Sequence, residues 1–403
     1  MRTGLLPDAV TAPASHTERL SGDHRVVARV FALTDVGRTR EHNEDTFLVA
    51  DLETGTPLDF THGYHEITAD PHGLLFLVAD GMGGAASGEL ASSMAGSLVL
   101  EALRHTWKAA DPSPEAFAEA LRDATVLANA RIHQHAREHP EHRGMGTTAT
   151  IAGLLGDRLF MVQVGDSRAY MVRDGDVQQL TKDQSLMQRL VEAGELTAEE
   201  AEVSERRNII LQALGPEAHV TVDLTHQQVR RGDTLILCSD GLSGLVRAPE
   251  IARTAHDEQD MRSICKRLVD RANQLGGPDN ITVIAARFDG DALRASGNGD
   301  SFGYNTFPLA GTLNDDAREP FPPMREARST LKSDPTPRFG TPMPSRALLE
   351  EEFERAQAAE DHALLGAPEP VVEERRRAVQ PVFLVLGLIA FLAITWLLFE
   401  LLG

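Results

Sequence analysis

Two apolar runs far apart in the chain end in the same dipeptide: LLFLVAD-Gly over Leu74–Gly81 and LILCSD-Gly over Leu235–Gly241. A buried strand that finishes on Asp-Gly delivers a carboxylate to the rim of a sheet, and the glycine lets another group approach closely. Glu44 and Asp45 in RTREHNED, Asp166 in VGDSR and Asp279 in GGPDNITV lie in comparable settings, beside an apolar strand or a glycine turn. An unpaired carboxylate in such a place is costly to desolvate, so six of them together point to hard divalent cations. Two ions near each other acidify and orient a water for in-line attack on phosphorus. Arg40 stands four residues before Glu44. From there it either grips a phosphate with paired donors or forms a salt bridge with Glu44.

The elements that position these groups fall between Val26 and about Asp289. Strands are predicted at Val26–Leu33, Thr46–Ala50, Leu74–Ala79, Thr147–Leu155, Arg158–Val164, Arg168–Val172, Thr234–Ser239 and Ile281–Phe288. Gly156 after one run and Asp174-Gly175 after another are hairpin chemistry and imply antiparallel pairing. Helices are predicted at Glu89–Trp107, at Pro114–Arg137 with Ser113 as N-cap, at Leu186–Ala193 and at Glu258–Gln274. Helices inserted in pairs among strands favour α+β layering over a doubly wound parallel sheet.

The rest of the chain reads differently. Residues 1–25 form a flexible leader without the apolar segment of a secretory signal. Residues 290–378 form a Pro-rich acidic linker, with eight prolines between Pro308 and Pro344. Residues 379–403 hold an uncharged run, Val382–Phe399, preceded by Arg375, Arg376 and Arg377. As a helix its eighteen residues span about 27 Å, which is enough to cross a bilayer. The arginines place the N-terminal side in the cytoplasm. The expectation is a single-pass C-terminal anchor in the plasma membrane with a cytoplasmic, monomeric catalytic domain. A net charge of −21 over 403 residues excludes a binder of the nucleic-acid backbone. With two cysteines only, Cys238 and Cys265, there is no disulfide framework. His62, His65 and His72 read as solvated loop histidines, because no Cys–His spacing supports a zinc site.

The ordered motifs TDVGRTREHNED, VADGMGGAASGELAS, GMGTTAT, VGDSRAY, LCSDGLSGLV and GGPDNITV resemble those of the PPM/PP2C protein phosphatases, in particular their bacterial membrane-anchored serine/threonine branch. The resemblance covers about Val26–Phe288. It implies a four-layer αββα sandwich of two antiparallel sheets flanked by helix pairs, and Mn²⁺ or Mg²⁺ as cofactor, two ions with a third site. It further implies that Asp80 bridges both ions, that the Gly81 carbonyl binds one, and that Asp240 and Asp279 complete the first site. Glu44 serves the second with Asp45 beside it, and Asp166 holds the third. Arg40 binds phosphate, while Asp183 and Asn280 support the site. Met82 stands where some members carry a histidine acid, so a metal-bound water would protonate the leaving group.

Gln184–Ala213 matches the family's mobile flap, with Val203, Ser204, Arg206 and Arg207 as candidate substrate contacts. The implied activity is hydrolysis of phosphoserine and phosphothreonine in proteins by a metal-bridging hydroxide, opposing a Ser/Thr kinase. Two other readings stay open. One is an inactive, membrane-tethered phosphoprotein-binding scaffold. The other is a phosphatase of a small molecule or of an anti-sigma pathway.

Overall fold

The structure, a computed structural model, describes residues 25–69, 72–107, 113–204, 206–297 and 300–308. The leader, most of the linker and the expected transmembrane helix lie outside the described residues. Among those residues no helix is long and apolar enough to cross a membrane.

Among the described residues, thirteen strands and seven α-helices occur in the order β1 Val26–Asp35, β2 Asp45–Asp51, β3 Thr56–Pro57, β4 His65–Ala69, β5 Leu74–Met82, α1 Ala85–Thr106, α2 Pro114–Glu138, β6 Gly146–Thr147, β7 Ala149–Leu155, β8 Arg158–Val164, β9 Arg168–Arg173, β10 Asp176–Gln179, α3 Leu186–Glu192, α4 Ala198–Val203, β11 Asp223–Gln228, β12 Thr234–Cys238, α5 Asp240–Ser243, α6 Ala248–Asp257, α7 Met261–Gln274 and β13 Ile281–Asp289. One sheet runs β10-β9-β12-β13-β1-β4 and the other β11-β8-β7-β5-β2-β3, with β6 paired to β5. The strand pairs within both sheets are antiparallel.

β5 explains the layering. Successive side chains of a strand face opposite sides. Leu74, Phe76 and Val78 join the core shared with β1, β12 and β13 of the other sheet, where Phe76 meets Phe288 edge to face. Leu75, Leu77 and Ala79 pack instead beneath α1 and α2, against Ala95, Val99 and Phe117. Both faces are covered, so the run is apolar throughout rather than alternating. On the far sheet, Ile251 and Ala255 of α6 and Ile264 and Leu268 of α7 complete the outer layer. The result is helix pair, sheet, sheet, helix pair.

Several boundaries differ from the sequence expectation. α1 starts at Ala85, four residues ahead of Glu89, with Gly84 at φ 89° as its cap. The helix expected from Glu258 begins at Met261, because the Asp260 carboxylate accepts from the Ser263 N–H and caps it. A separate helix, α6, precedes it. Ser113 caps α2 through the Ala116 N–H, as its spacing before Pro114 predicts. Packing also continues beyond Asp289 into residues expected to be linker. Asp300 pairs with Arg230 at 2.7 Å, Phe302 lies under the Arg173 guanidinium, and Thr306 bridges to Thr225. Phe307 is buried against Phe160.

Candidate metal centre

The β2–β5 register places Asp45 directly opposite Asp80. The backbone of Asp80 is held on both sides. Its N–H donates to the Thr148 hydroxyl at 2.9 Å, and its carbonyl accepts from the Thr147 hydroxyl at 2.9 Å and the Thr148 N–H at 2.8 Å. The GMGTT segment thus fixes the direction in which β5 delivers its carboxylate. The glycines that follow are required by space. A Cβ on Gly81 would lie 2.1 Å from the Gly88 carbonyl oxygen, and one on Gly88 would lie 1.9 Å from the Glu44 carboxylate.

The second strand-Asp-Gly run arrives from the other sheet. β12 ends at Cys238, and Asp240 opens α5. Between them, the Ser239 hydroxyl donates to Asp45 Oδ2 at 2.7 Å and accepts from the Thr282 N–H at 3.0 Å, joining the ends of the two sheets. Asn280 does the same for the Arg40 loop. Its amide nitrogen donates to the carbonyls of Val36 and His42, and its Oδ1 accepts from the Glu44 N–H at 2.8 Å. Gly241 packs so closely on this turn that a Cβ there would lie 1.9 Å from the Asn280 carbonyl oxygen. Asp166 sits between β8 and β9, where the chain passes from one sheet to the other.

Burial pushes Asp80 well above the usual carboxylate range, reinforced by the charges of Asp45, Asp240, Asp166 and Asp279. Asp45 is pushed up to about 7 by burial, against hydrogen bonds from Thr282 and Ser239. Asp240 is raised by burial and by Asp279, Asp166 well raised by burial and by Asp240, and Glu44 raised by desolvation. Asp45 Oδ1, Asp166 Oδ1 and Asp240 Oδ1 are buried with no hydrogen-bond partner. Among the described residues no three His, Cys, Asp or Glu side chains close into a cage around one point. An open set of carboxylates, with acceptor oxygens that nothing in the protein satisfies, fits Mg²⁺ or Mn²⁺, which keep several waters of their own.

Arg40 pairs with Asp279 at 2.9 Å rather than with Glu44. Arg168 grips Asp183 with three bonds of 2.6–3.0 Å and also reaches the Tyr170 hydroxyl. Asp183 is therefore held as the partner of an arginine. Gln184 accepts from the Gly165 N–H and steadies the turn that carries Asp166. His65 belongs to edge strand β4 and His72 pairs with Glu53, so the two do not share a site.

A cleft of about 390 Å³ leads from Asp166, Asp240 and Asp279 outward along the flap. Arg207 lines it, whereas Val203, Ser204 and Arg206 do not, and Val203 is 73% exposed. The structure adds Glu202 on α4 and Arg247 before α6, which line the cleft and pair with each other. They are 45 positions apart in sequence and share no motif, so no local signal marks Arg247.

Residues 53–282 match the family described as Protein phosphatase 2C. The chain is 38% identical over 272 residues to the serine/threonine protein phosphatase PstP of Mycobacterium tuberculosis, a match covering 65% of this chain and 45% of that protein. It therefore spans about half the length of that relative. Over 256 residues it is 34% identical to the serine/threonine phosphatase stp of Listeria monocytogenes, covering 64% of this chain and 94% of that one. The crystal structure of the PstP catalytic domain in complex with two manganese ions superposes with a TM-score of 0.52 at 34% identity, covering 66% of this chain and 99% of that one. With its family match extending over more than half its length, and with strand-end carboxylates joined by Ser239 and Asn280, the chain belongs to the protein phosphatase 2C family.

Proposed function

We propose that the chain is a metal-dependent phosphatase of phosphoserine and phosphothreonine in proteins. One observation carries this reading: the buried carboxylates of Asp166 and Asp240, each with an unpartnered oxygen, share a cleft with Asp279 and Arg40. Asp80, the Gly81 carbonyl, Asp240 and Asp279 would hold one divalent ion and Asp80 with Glu44 a second, with Asp45 beside them and Asp166 at a third site. Mn²⁺ or Mg²⁺ bound there supplies an acidified, oriented water and neutralises phosphate charge.

The chain's own residues do the rest. The Arg40 guanidinium, steadied by Asp279, offers its remaining donors to phosphate oxygens. Asn280 keeps the Arg40 loop against the carboxylates. Thr147 and Thr148 keep Asp80 from turning away. A cysteine nucleophile has no support, because burial pushes the Cys238 thiol up to about 12 and Cys265 is buried as well. Attack by water on phosphorus without a phosphoenzyme follows.

The apolar run Val382–Phe399 behind three arginines supports a plasma-membrane anchor with the catalytic domain on the cytoplasmic side. A Ser/Thr kinase would then be the natural source of substrate. The test is phosphate release from a phosphothreonine peptide by the full chain in EDTA, then with Mg²⁺ or Mn²⁺ restored, beside Asp240→Asn. Turnover that needs the metal and disappears in the variant supports the phosphatase. No turnover by the folded protein under any metal favours a phosphoprotein-binding scaffold.

A further inference from the structure

Four guanidinium groups line the cleft, and two of them are accounted for, one by the reaction and one by its ion pair. Arg40 is tied to Asp279 and Arg168 to Asp183. Arg207 also lines the cleft, and its charge reaches Asp240, lowering that carboxyl's proton affinity. Among the described residues its guanidinium has no hydrogen bond or ion pair. Arg247 has one partner among them, Glu202 of α4, at 2.5 Å, with both side chains more than two-fifths exposed. Such an exposed pair is worth about 0.2–1 kcal/mol, so an incoming anion can displace Glu202. The chain as a whole carries −21. An acidic substrate therefore approaches a repelling surface unless a local basic pair receives it.

We propose that Arg207 and Arg247 form an anion-reading subsite. It selects protein segments that carry a second negative group, a carboxylate or another phosphate, beside the phosphorylated residue. The proposal rests on the phosphatase reading above, because the subsite has a purpose only if the scissile phosphate sits at the carboxylates.

The test uses the full chain with Mn²⁺ and a set of phosphothreonine peptides. One is neutral around the phosphothreonine, one series moves a single glutamate along the flanks, and one series moves a second phosphothreonine. The readout is the ratio of kcat/KM between anionic and neutral peptides within each variant, with p-nitrophenyl phosphate, which carries no flanking residues, as the reference for turnover itself. The wild type is expected to favour the best-placed anion about fivefold, carried in KM, as one exposed guanidinium–anion pair supplies. Arg247→Ala and Arg207→Ala bring the ratio toward one. Arg247→Lys keeps part of it, and Glu202→Gln raises it by removing the competitor. At high salt the ratio falls in the wild type as well.

A larger effect from the phosphate series than from the glutamate series identifies the second anion as phosphate, and the reverse identifies carboxylate. Hydrolysis of p-nitrophenyl phosphate with equal kcat/KM for every peptide overturns the subsite and leaves the phosphatase standing. Absence of turnover on every substrate overturns both.

Discussion

The floor of the cleft and its outer wall are built by opposite means. On the floor, Asp45, Asp80 and Asp240 sit at strand ends, wired through Ser239, Thr147, Thr148 and Asn280, and those four residues are buried. Each bond there has at least one buried partner, and removing the other leaves that polar group unsatisfied, at about 1–3 kcal/mol. On the wall, α3 and α4 are short and largely exposed, held by pairs such as Lys182–Glu192 and Glu202–Arg247 that solvent screens. The floor has one arrangement available to it, whereas the wall can be rearranged at little cost. Under the proposed function, chemistry that must not vary would lie on the first, and selection among substrates would fall to the second.

The comparison can be broken most forcefully at Asp240. Asp240→Asn is expected to lower kcat by about 10³-fold or more, some 4 kcal/mol of barrier. In EDTA the same variant should melt at or above the wild-type temperature, because it removes one charge from a repelling buried group. Substantial activity, or a collapsed fold, would show that Asp240 is not part of a metal floor.

A matched pair of glycine substitutions comes next. Gly81→Ala forces a Cβ to 2.1 Å from a backbone oxygen and should cost about 3 kcal/mol or more. Gly194→Ala, on the wall, meets open space and only the strain of φ +74°, about 1–2 kcal/mol. Equal losses in urea denaturation would erase the distinction between rigid floor and adaptable wall.

The pH dependence follows from the raised carboxyls. The folded protein holds the Asp45 proton up to about 7, against an ordinary value of 3.8. The folded state therefore binds more protons than the unfolded one across this window, and stability falls as pH rises through it. Metal-free protein should melt progressively lower from pH 5 to pH 7.5, and Asp45→Asn should flatten that slope. Manganese at about a hundred times its Kd should return about 2.7 kcal/mol at pH 7.5 and little at pH 5. A flat profile would mean that the cluster carries no such strain.

The smallest expected effect lies on the wall. Glu202→Gln should change unfolding free energy by less than about 0.5 kcal/mol. A larger loss would make the Glu202–Arg247 pair structural rather than adaptable.

The legible parts of the fold were those whose environment leaves a continuous or periodic trace. β5 is covered on both faces, so it reads as an unbroken apolar run. Ser113 before Pro114 announces its helix locally. β10, Asp176–Gln179, and β11, Asp223–Gln228, are polar edge strands that exist because β9 and β8 offer them backbone partners. The strap through Phe307 looks like linker because Phe302, Tyr304 and Phe307 are spaced irregularly among glycine and polar residues and match neither a strand nor a helix period. In the site, Asp80 and Asp240 were visible as strand ends before glycine. The Arg40–Asp279 pair spans 239 positions and leaves no local mark, and neither does the partnership of Arg247 with Glu202.

By itself, the sequence determined which carboxylates stand at the ends of buried strands, because strand burial and the glycine turn are local properties of the chain. Only the tertiary structure decided which of them become neighbours, how far their protons are held, and which arginines remain open to a substrate. Those depend on packing between segments hundreds of residues apart, and on the water that the packing excludes.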